Sequence, residues 1–190
     1  LFGVLGFLQD IATVHAQEMG FGLEAMIRDQ SFWVLVRQKL KMTHFPSWND
    51  VVEIQTWSRK PEGMYAFRDF ELFCNGEKIG DCSTVWMILD GVTKKVKKVD
   101  FPIQKINPRQ DYEIGYTASK VIPKEDFEHV NTVKVRNSDL DLNMHVNNTK
   151  YSQWILDSIP IELHKSAKLK EFEINFLGET HLGEDIDILR

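Results

Sequence analysis

Residues 137–148, NSDLDLNMHVNN, gather two aspartates, four asparagines and one histidine between two stretches of patterned apolar residues. Asp141, Asn143 and His145 follow a two-residue rhythm, D-x-N-x-H, which in an extended segment turns all three side chains to one side. Histidine is the usual proton-transfer group near neutral pH, and a carboxylate beside it fixes its orientation and favours its charged form. The box runs into a helix start with Asn147 or Asn148 as N-cap. The first N–H groups of a helix lack partners inside it, so they are free to hold a developing oxyanion. Asx-rich turns at strand-to-helix junctions also serve plain capping, so the box alone does not separate catalysis from turn chemistry.

The elements that must carry these groups are legible from periodicity. In LFGVLGFLQDIATVHAQEMGFG, Leu1, Leu5, Leu8, Ile11, Ala12, Ala16 and Met19 recur at three- and four-residue spacings. Gly20 and Gly22 follow as stop signals, which predicts an amphipathic helix. His15 falls on its apolar side, as a hydrogen-bonded core histidine does. Strand-like runs follow: SFWVLVRQKLKM, DVVEIQTWSR, YAFRDFELFC and GDCSTVWMILD, the last two joined by an Asn75-Gly76 turn. A long helix followed by consecutive strands predicts an α+β fold, an antiparallel sheet packed on a helix, and excludes a doubly wound parallel sheet.

Residues 104–125 hold mixed polar residues and prolines without a period and read as a linker between a first domain, 1–103, and a second, 126–190. Beyond it VNTVKVR predicts a strand. NNTKYSQWILDSIP predicts a helix with Tyr151, Trp154, Ile155 and Ser158 on one face, and KEFEINFL and EDIDIL predict further strands. A shift of 134 positions lays Val52 on Ile186 and Ile54 on Ile188, and sets Phe7, Gln9 and Ile11 opposite Asp141, Asn143 and His145. If the halves are duplicates, the polar box occurs in one of them, which gives one active site per chain. The second half is short for a domain, which predicts that its last strands are missing, and a homodimer is one way to cover the open edges.

With 43% apolar residues, the chain has the composition of a globular protein. No apolar run approaches the roughly 18 residues of a membrane span. A net charge of −5 argues against nucleic acid as partner. The two cysteines, Cys74 and Cys82, are wrongly spaced for a metal site and read as reduced packing residues; nothing calls for a cofactor. The N-terminus carries neither a secretory nor a transit pattern, which makes a cytoplasmic protein the default, although a trimmed precursor would look the same.

The segment RNSDLDLNMHVNNTKYSQWILDSIP, taken with FLQDIATVHAQEMGF, WNDVVEIQTWSR and GDCSTVWMILDGVTKKVKKV, resembles the acyl-acyl carrier protein thioesterases of plastids and bacteria. The likeness runs in order along nearly the whole chain. It implies a tandem hotdog fold, each long helix wrapped by an antiparallel sheet, and hydrolysis of the thioester that ends fatty-acid synthesis, with acyl carrier protein as partner. It implies either a bacterial cytoplasm or, for a plant protein without its transit peptide, the plastid stroma. Carried over residue by residue, the family's catalytic Asp, Asn and His fall on Asp141, Asn143 and His145, and its Glu, on the strands downstream, falls on Glu179. Plant members usually have Cys after that Glu; Thr180 stands there in this chain. No thiol accompanies the cluster, and Thr180 as nucleophile would need a strong base to activate it, so water is the expected nucleophile, activated by Glu179 or His145.

The same resemblance gives the first half the acyl-chain pocket, with Phe32, Trp33, Trp57, Phe70 and Trp86 as candidate lining or as ordinary core. An acidic carrier protein needs a basic landing place, for which Arg59-Lys60 and Lys94, Lys95, Lys97 and Lys98 are the candidates. An acyl-CoA thioesterase and a non-catalytic acyl-binding hotdog protein are the rival functions.

Overall fold

The computed structural model describes residues 1–99, 109, 112–123, 125–141 and 143–190, and the expected linker lies partly outside them, as does Leu142 of the polar box. The element order is α1 (Phe2–Glu18), α2 (Leu23–Arg28), β1 (Ser31–Met42), β2 (Val52–Ser58), β3 (Ala66–Cys74), β4 (Glu77–Asp90), β5 (Val96–Lys97), β6 (His129–Lys134), α3 (Asn148–Asp157), α4 (Ile161–Ser166), β7 (Glu171–Asn175) and β8 (Asp185–Leu189). The first helix, the long strands and the second-half helix stand where periodicity puts them. The six-residue helices α2 and α4 were not expected; each is too short to show a period. No helix among the described residues is long and apolar enough to cross a membrane.

The chain divides into two compact units: Phe7–Val121 with Leu169–Asn175, and Leu1–Gly6 with Ile122–Lys168 and Phe176–Arg190. In the first, α1 buries Leu8 and Ala12 and ends in a Schellman-type turn: Phe21 N–H reaches back to Ala16 O and Gly20 N–H to Gln17 O. That geometry requires a left-handed residue, and Gly20 supplies it at φ +80°. The sheet runs β2-β3-β4-β1-β7 with β5 beside β4, and every pairing is antiparallel. Asn75 (φ +53°) and Gly76 (φ +84°) make the β3–β4 turn, both left-handed as a type I′ hairpin demands.

β7 lies far from β1 in sequence yet pairs with it, Lys39 opposite Glu173. The Lys39 ammonium sits 2.7 Å from a Glu171 oxygen and 2.9 Å from a Glu173 oxygen, which fixes the register by charge.

Strand β3 is covered on both faces. On one, Arg68 is buried and reaches His15 of α1, Thr56 and Ser58. On the other, the chain around residues 112–119 lies on the sheet. Trp57 Nε1 donates to Tyr112 O at 2.9 Å, Tyr112 Oη to Glu71 at 3.0 Å, and Tyr116 Oη to Asp81 Oδ1 at 2.6 Å. Ala118 packs into a small core with Phe67 and Val85. Trp57 therefore faces the connecting segment, and Arg59, 7% exposed and bonded to Asp69 and Thr117, is no landing place for a partner. Arg59, just past the end of β2, lies over the Phe67 ring, and the buried Asp69 carboxylate offsets its charge there.

His15 is the half-buried, hydrogen-bonded histidine that its place on the apolar side predicts. Arg68 only donates, so Nδ1 of His15 accepts at 2.8 Å and the ring is neutral. Burial, with the Arg68 charge, lowers its pKa, partly offset by Glu18. The unfolded chain therefore takes up this proton more readily, and the stability tied to neutral His15 is complete above about pH 6.5 and lost as pH falls below it. Asp69 has the opposite sign, its pKa raised to about 6 by burial. In His15→Asn the amide oxygen keeps an acceptor that does not titrate. The wild-type protein should lose more unfolding free energy between about pH 7 and pH 5 than this variant, as read by urea denaturation. Parallel losses in the two proteins would contradict the assignment.

The second unit holds the antiparallel pair β6–β8 with α3 and α4. Its core is Val135, Val146 and Trp154, flanked by Val133, Leu140, Tyr151, Ile186 and Ile188. The helix here has ten residues, shorter than the long one expected.

Candidate active site

The polar box and the connection between β7 and β8 meet in the second unit. Asn147, one of the two expected caps, closes the start of α3: its Oδ1 accepts from Thr149 N–H at 2.9 Å and Thr149 Oγ1 at 2.7 Å. Asp139, buried, braces the same junction. Its carboxylate accepts from Arg136 N–H at 2.8 Å and lies 3.3 Å from the Lys150 ammonium, and its carbonyl accepts from Asn147 N–H at 2.8 Å.

Between these anchors the chain is a closed turn, not an extended stretch. Leu140 and Val146 form an antiparallel bridge, and Asp141 N–H donates to His145 O at 2.8 Å. The Asp141 carboxylate accepts from Asn143 N–H at 2.8 Å and His145 N–H at 3.3 Å. A carboxylate that serves main-chain donors two and four residues on curls the chain around itself, which the two-residue rhythm does not reveal. Met144 takes φ +63°, a left-handed conformation uncommon for a side chain of its size. Among the described contacts Asp141 thus meets the backbone of His145 rather than its ring.

His145 Nδ1 lies 3.8 Å from Glu179 Oε1, ion-pair distance once the imidazole is protonated and longer than a direct hydrogen bond. The two side chains keep 34% and 39% of their surface, so solvent reaches both. Glu179 stands on the loop between β7 and β8, not on a strand; Gly178 precedes it and a turn closed by His181 N–H on the Glu184 carboxylate follows. Asn143 is exposed at the tip of the box. The structure therefore brings His145 and Glu179 together and places Asp141 and Asn143 in the turn that presents His145.

Two neighbours escaped the sequence reading. The His181 ring stands edge-on to His145, centroids 6.1 Å apart, and Tyr151 Oη lies 2.6 Å from Thr180 Oγ1. The adjacency of Glu179, Thr180 and His181 was a signal for the first; Tyr151 was hidden among the apolar positions of its helix.

Both thiols lie in the first unit, buried on β3 and β4, and burial pushes each one up, which removes them as nucleophiles and leaves them as packing residues.

The model of the acyl-ACP thioesterase N-terminal domain matches residues 1–107, and that of the acyl-ACP thioesterase C-terminal domain matches residues 123–190. The chain is 30% identical to an oleoyl-acyl carrier protein thioesterase of Arabidopsis thaliana over 205 aligned residues, 98% of this chain and 56% of that protein. A palmitoyl-acyl carrier protein thioesterase of the same plant is also 30% identical, over 93% of this chain and 46% of its own length. Both relatives are chloroplastic, and the chain spans about half their length. Among solved structures, an acyl-ACP thioesterase from Bacteroides thetaiotaomicron superposes with a TM-score of 0.90 at 28% identity, covering 98% of this chain and 77% of that one. The 12:0-ACP thioesterase of Umbellularia californica superposes at 0.83 with 21% identity over 99% of this chain and 78% of its own, which bears on fold alone.

Proposed function

Because the chain belongs to the acyl-ACP thioesterase family, we propose that it hydrolyses the thioester of a fatty acyl chain held on acyl carrier protein, releasing free fatty acid and holo-carrier protein. Its fold is the family's α+β tandem hotdog. The observation that carries the proposal is the approach of His145 to Glu179 beside the capped start of α3.

In this reading the His145–Glu179 pair takes a proton from a water molecule that attacks the thioester carbonyl. The side-chain amide of Asn143 holds the oxyanion, because the cap takes up the first donors of α3, Thr149 N–H on Asn147 Oδ1 and Lys150 N–H on Asn147 O. Asp141 acts through the main chain: by accepting the N–H groups of Asn143 and His145 it sets the direction in which the imidazole leaves the turn. The tetrahedral intermediate collapses with loss of the carrier's pantetheine thiolate, a good leaving group. Both thiols are buried on strands of the first unit, so the nucleophile in this reading is water rather than a cysteine.

Carrier protein is acidic, and with Arg59 buried the basic candidates reduce to Lys60 and the lysines around β5. The reaction belongs in the compartment where fatty acids are made, a bacterial cytoplasm or a plastid stroma.

The test is thiol release from a chain-length series, each acyl group presented on carrier protein and on coenzyme A. Release selective for the carrier is expected. Equal turnover of both handles would replace the reading by an acyl-CoA thioesterase, and acyl binding without release by an acyl-binding protein.

A further inference from the structure

The loop that carries Glu179 is tied down at residues 181–184, by Gly183 N–H on Val135 O, Val135 N–H on Glu184 O and His181 N–H on the Glu184 carboxylate, and has little to hold it at residues 177–179. Leu177 is 87% exposed, Gly178 and Glu179 are exposed, and no regular element covers residues 176–184. Yet the chemistry proposed above requires the Glu179 carboxylate to stay within ion-pair distance of His145, and a carboxylate on a free loop spends most of its time elsewhere.

One side chain grips this loop at two points. Tyr151, in the first turn of α3, packs its ring edge-on against Phe176, centroids 5.6 Å apart, and its hydroxyl lies 2.6 Å from Thr180 Oγ1. The two contacts bracket Leu177, Gly178 and Glu179. The Tyr151 ring is itself steadied by Trp154, edge-on at 5.4 Å, and Trp154 belongs to the unit's buried core. A 2.6 Å separation is an ordinary hydroxyl–hydroxyl hydrogen bond, and the phenol, the stronger acid, is the natural donor. The helix that holds Tyr151 is the one whose capped start adjoins His145, so one rigid element sets both partners of the catalytic pair.

We infer that Tyr151 is a positioning residue which, through the hydroxyl of Thr180, holds the 176–180 loop so that Glu179 stays within reach of His145. The inference rests on the hydrolytic reading for its effect on rate, but not for its effect on the loop. Tyr151 does not touch the reacting atoms; it acts on them through Thr180 and the peptide chain to Glu179.

Three variants separate this role from general packing. Tyr151→Phe keeps the ring against Phe176 and Trp154 and removes the hydroxyl; Thr180→Val keeps the volume and removes the partner; Thr180→Ser restores a hydroxyl. Tyr151→Phe and Thr180→Val should each lower kcat on acyl carrier protein substrates by about tenfold, the equivalent of one hydrogen bond, with KM within about twofold. The double variant should be no slower than either single one, because both remove the same bond. Thr180→Ser should recover most of kcat.

Hydrogen exchange supplies a readout independent of turnover. The amides of residues 177–181 should exchange several-fold faster in Tyr151→Phe and Thr180→Val, with α3 and β8 unchanged. If wild-type protein hydrolyses no thioester, the functional reading fails, and exchange alone then decides the tether. Unchanged exchange in the loop overturns the inference, and so do multiplicative losses in kcat or acceleration that spreads through α3 and β8.

Discussion

Replacing His145 by alanine is expected to lower kcat for acyl carrier protein thioesters by about a thousandfold while leaving KM nearly unchanged. The ring is one-third exposed and its described partners are the Glu179 carboxylate at 3.8 Å and the His181 ring, edge-on with centroids 6.1 Å apart, so removing it opens no buried cavity. Its N–H still closes the turn on Asp141, because that bond uses the main chain. Thermal unfolding should therefore move little, which separates lost chemistry from lost fold. Glu179→Gln tests the partner: the amide keeps shape and removes charge, and a loss of about a hundredfold is expected if the carboxylate accepts or stabilises the transferred proton. If His145 and Glu179 act as one unit, the double variant loses barely more than His145→Ala. Stopped-time assays of thiol release on all three proteins check this, and a His145→Ala enzyme within about fivefold of wild type would remove the histidine from the mechanism, since general acid–base roles contribute far more.

The largest effect on stability is expected at Trp57. This side chain is fully buried, its indole N–H donates to Tyr112 O, the Tyr112 ring lies 5.3 Å away, and the Arg109 guanidinium sits 4.5 Å above it. Trp57→Ala removes that whole contact set and strands the Tyr112 carbonyl, for a cost of about 3–5 kcal/mol. At roughly 2–4 °C per kcal/mol for a protein of this size, the melting midpoint falls by about 10 °C. Trp57→Phe, which keeps an aromatic ring and loses only the N–H, should fall by less than half as much. A midpoint within about 2 °C of wild type for the alanine variant, inside the range of a neutral surface change, would mean the connecting segment is not held by this residue.

What the residues disclosed in advance follows the range of the forces involved. Helix α1, the strands of the first sheet and the Asn75-Gly76 hairpin are set by local period and local dihedral preference, and they stand where those preferences put them. The Asn147 cap was legible for the same reason. The pairing of β1 with β7 was not, because Lys39 and Glu173 meet across most of the chain and no local pattern names the partner. The box itself was half legible. Its residue types announced an unusual site, but the Asp141 carboxylate folds the segment on itself, and alternation along the sequence loses its meaning once the chain is not extended. Arg59 misled because arginine is usually displayed, and its counter-charge, Asp69, lies on a neighbouring strand. Tyr151 read as packing, which it is, yet its hydroxyl does something a phenylalanine would not.

The strand β7 also bears on how such a protein diversifies. The chain enters the first unit once more after α4, for seven residues of which the last five form β7, and then leaves it again. A hybrid between two relatives that exchanges everything after the connecting segment would bring a foreign β7 to a native β1, so the Lys39, Glu171 and Glu173 charges must be inherited as a set even though the crossover falls between them. Recombination points that respect this lie on either side of β7 rather than in the connection that looks like the natural seam.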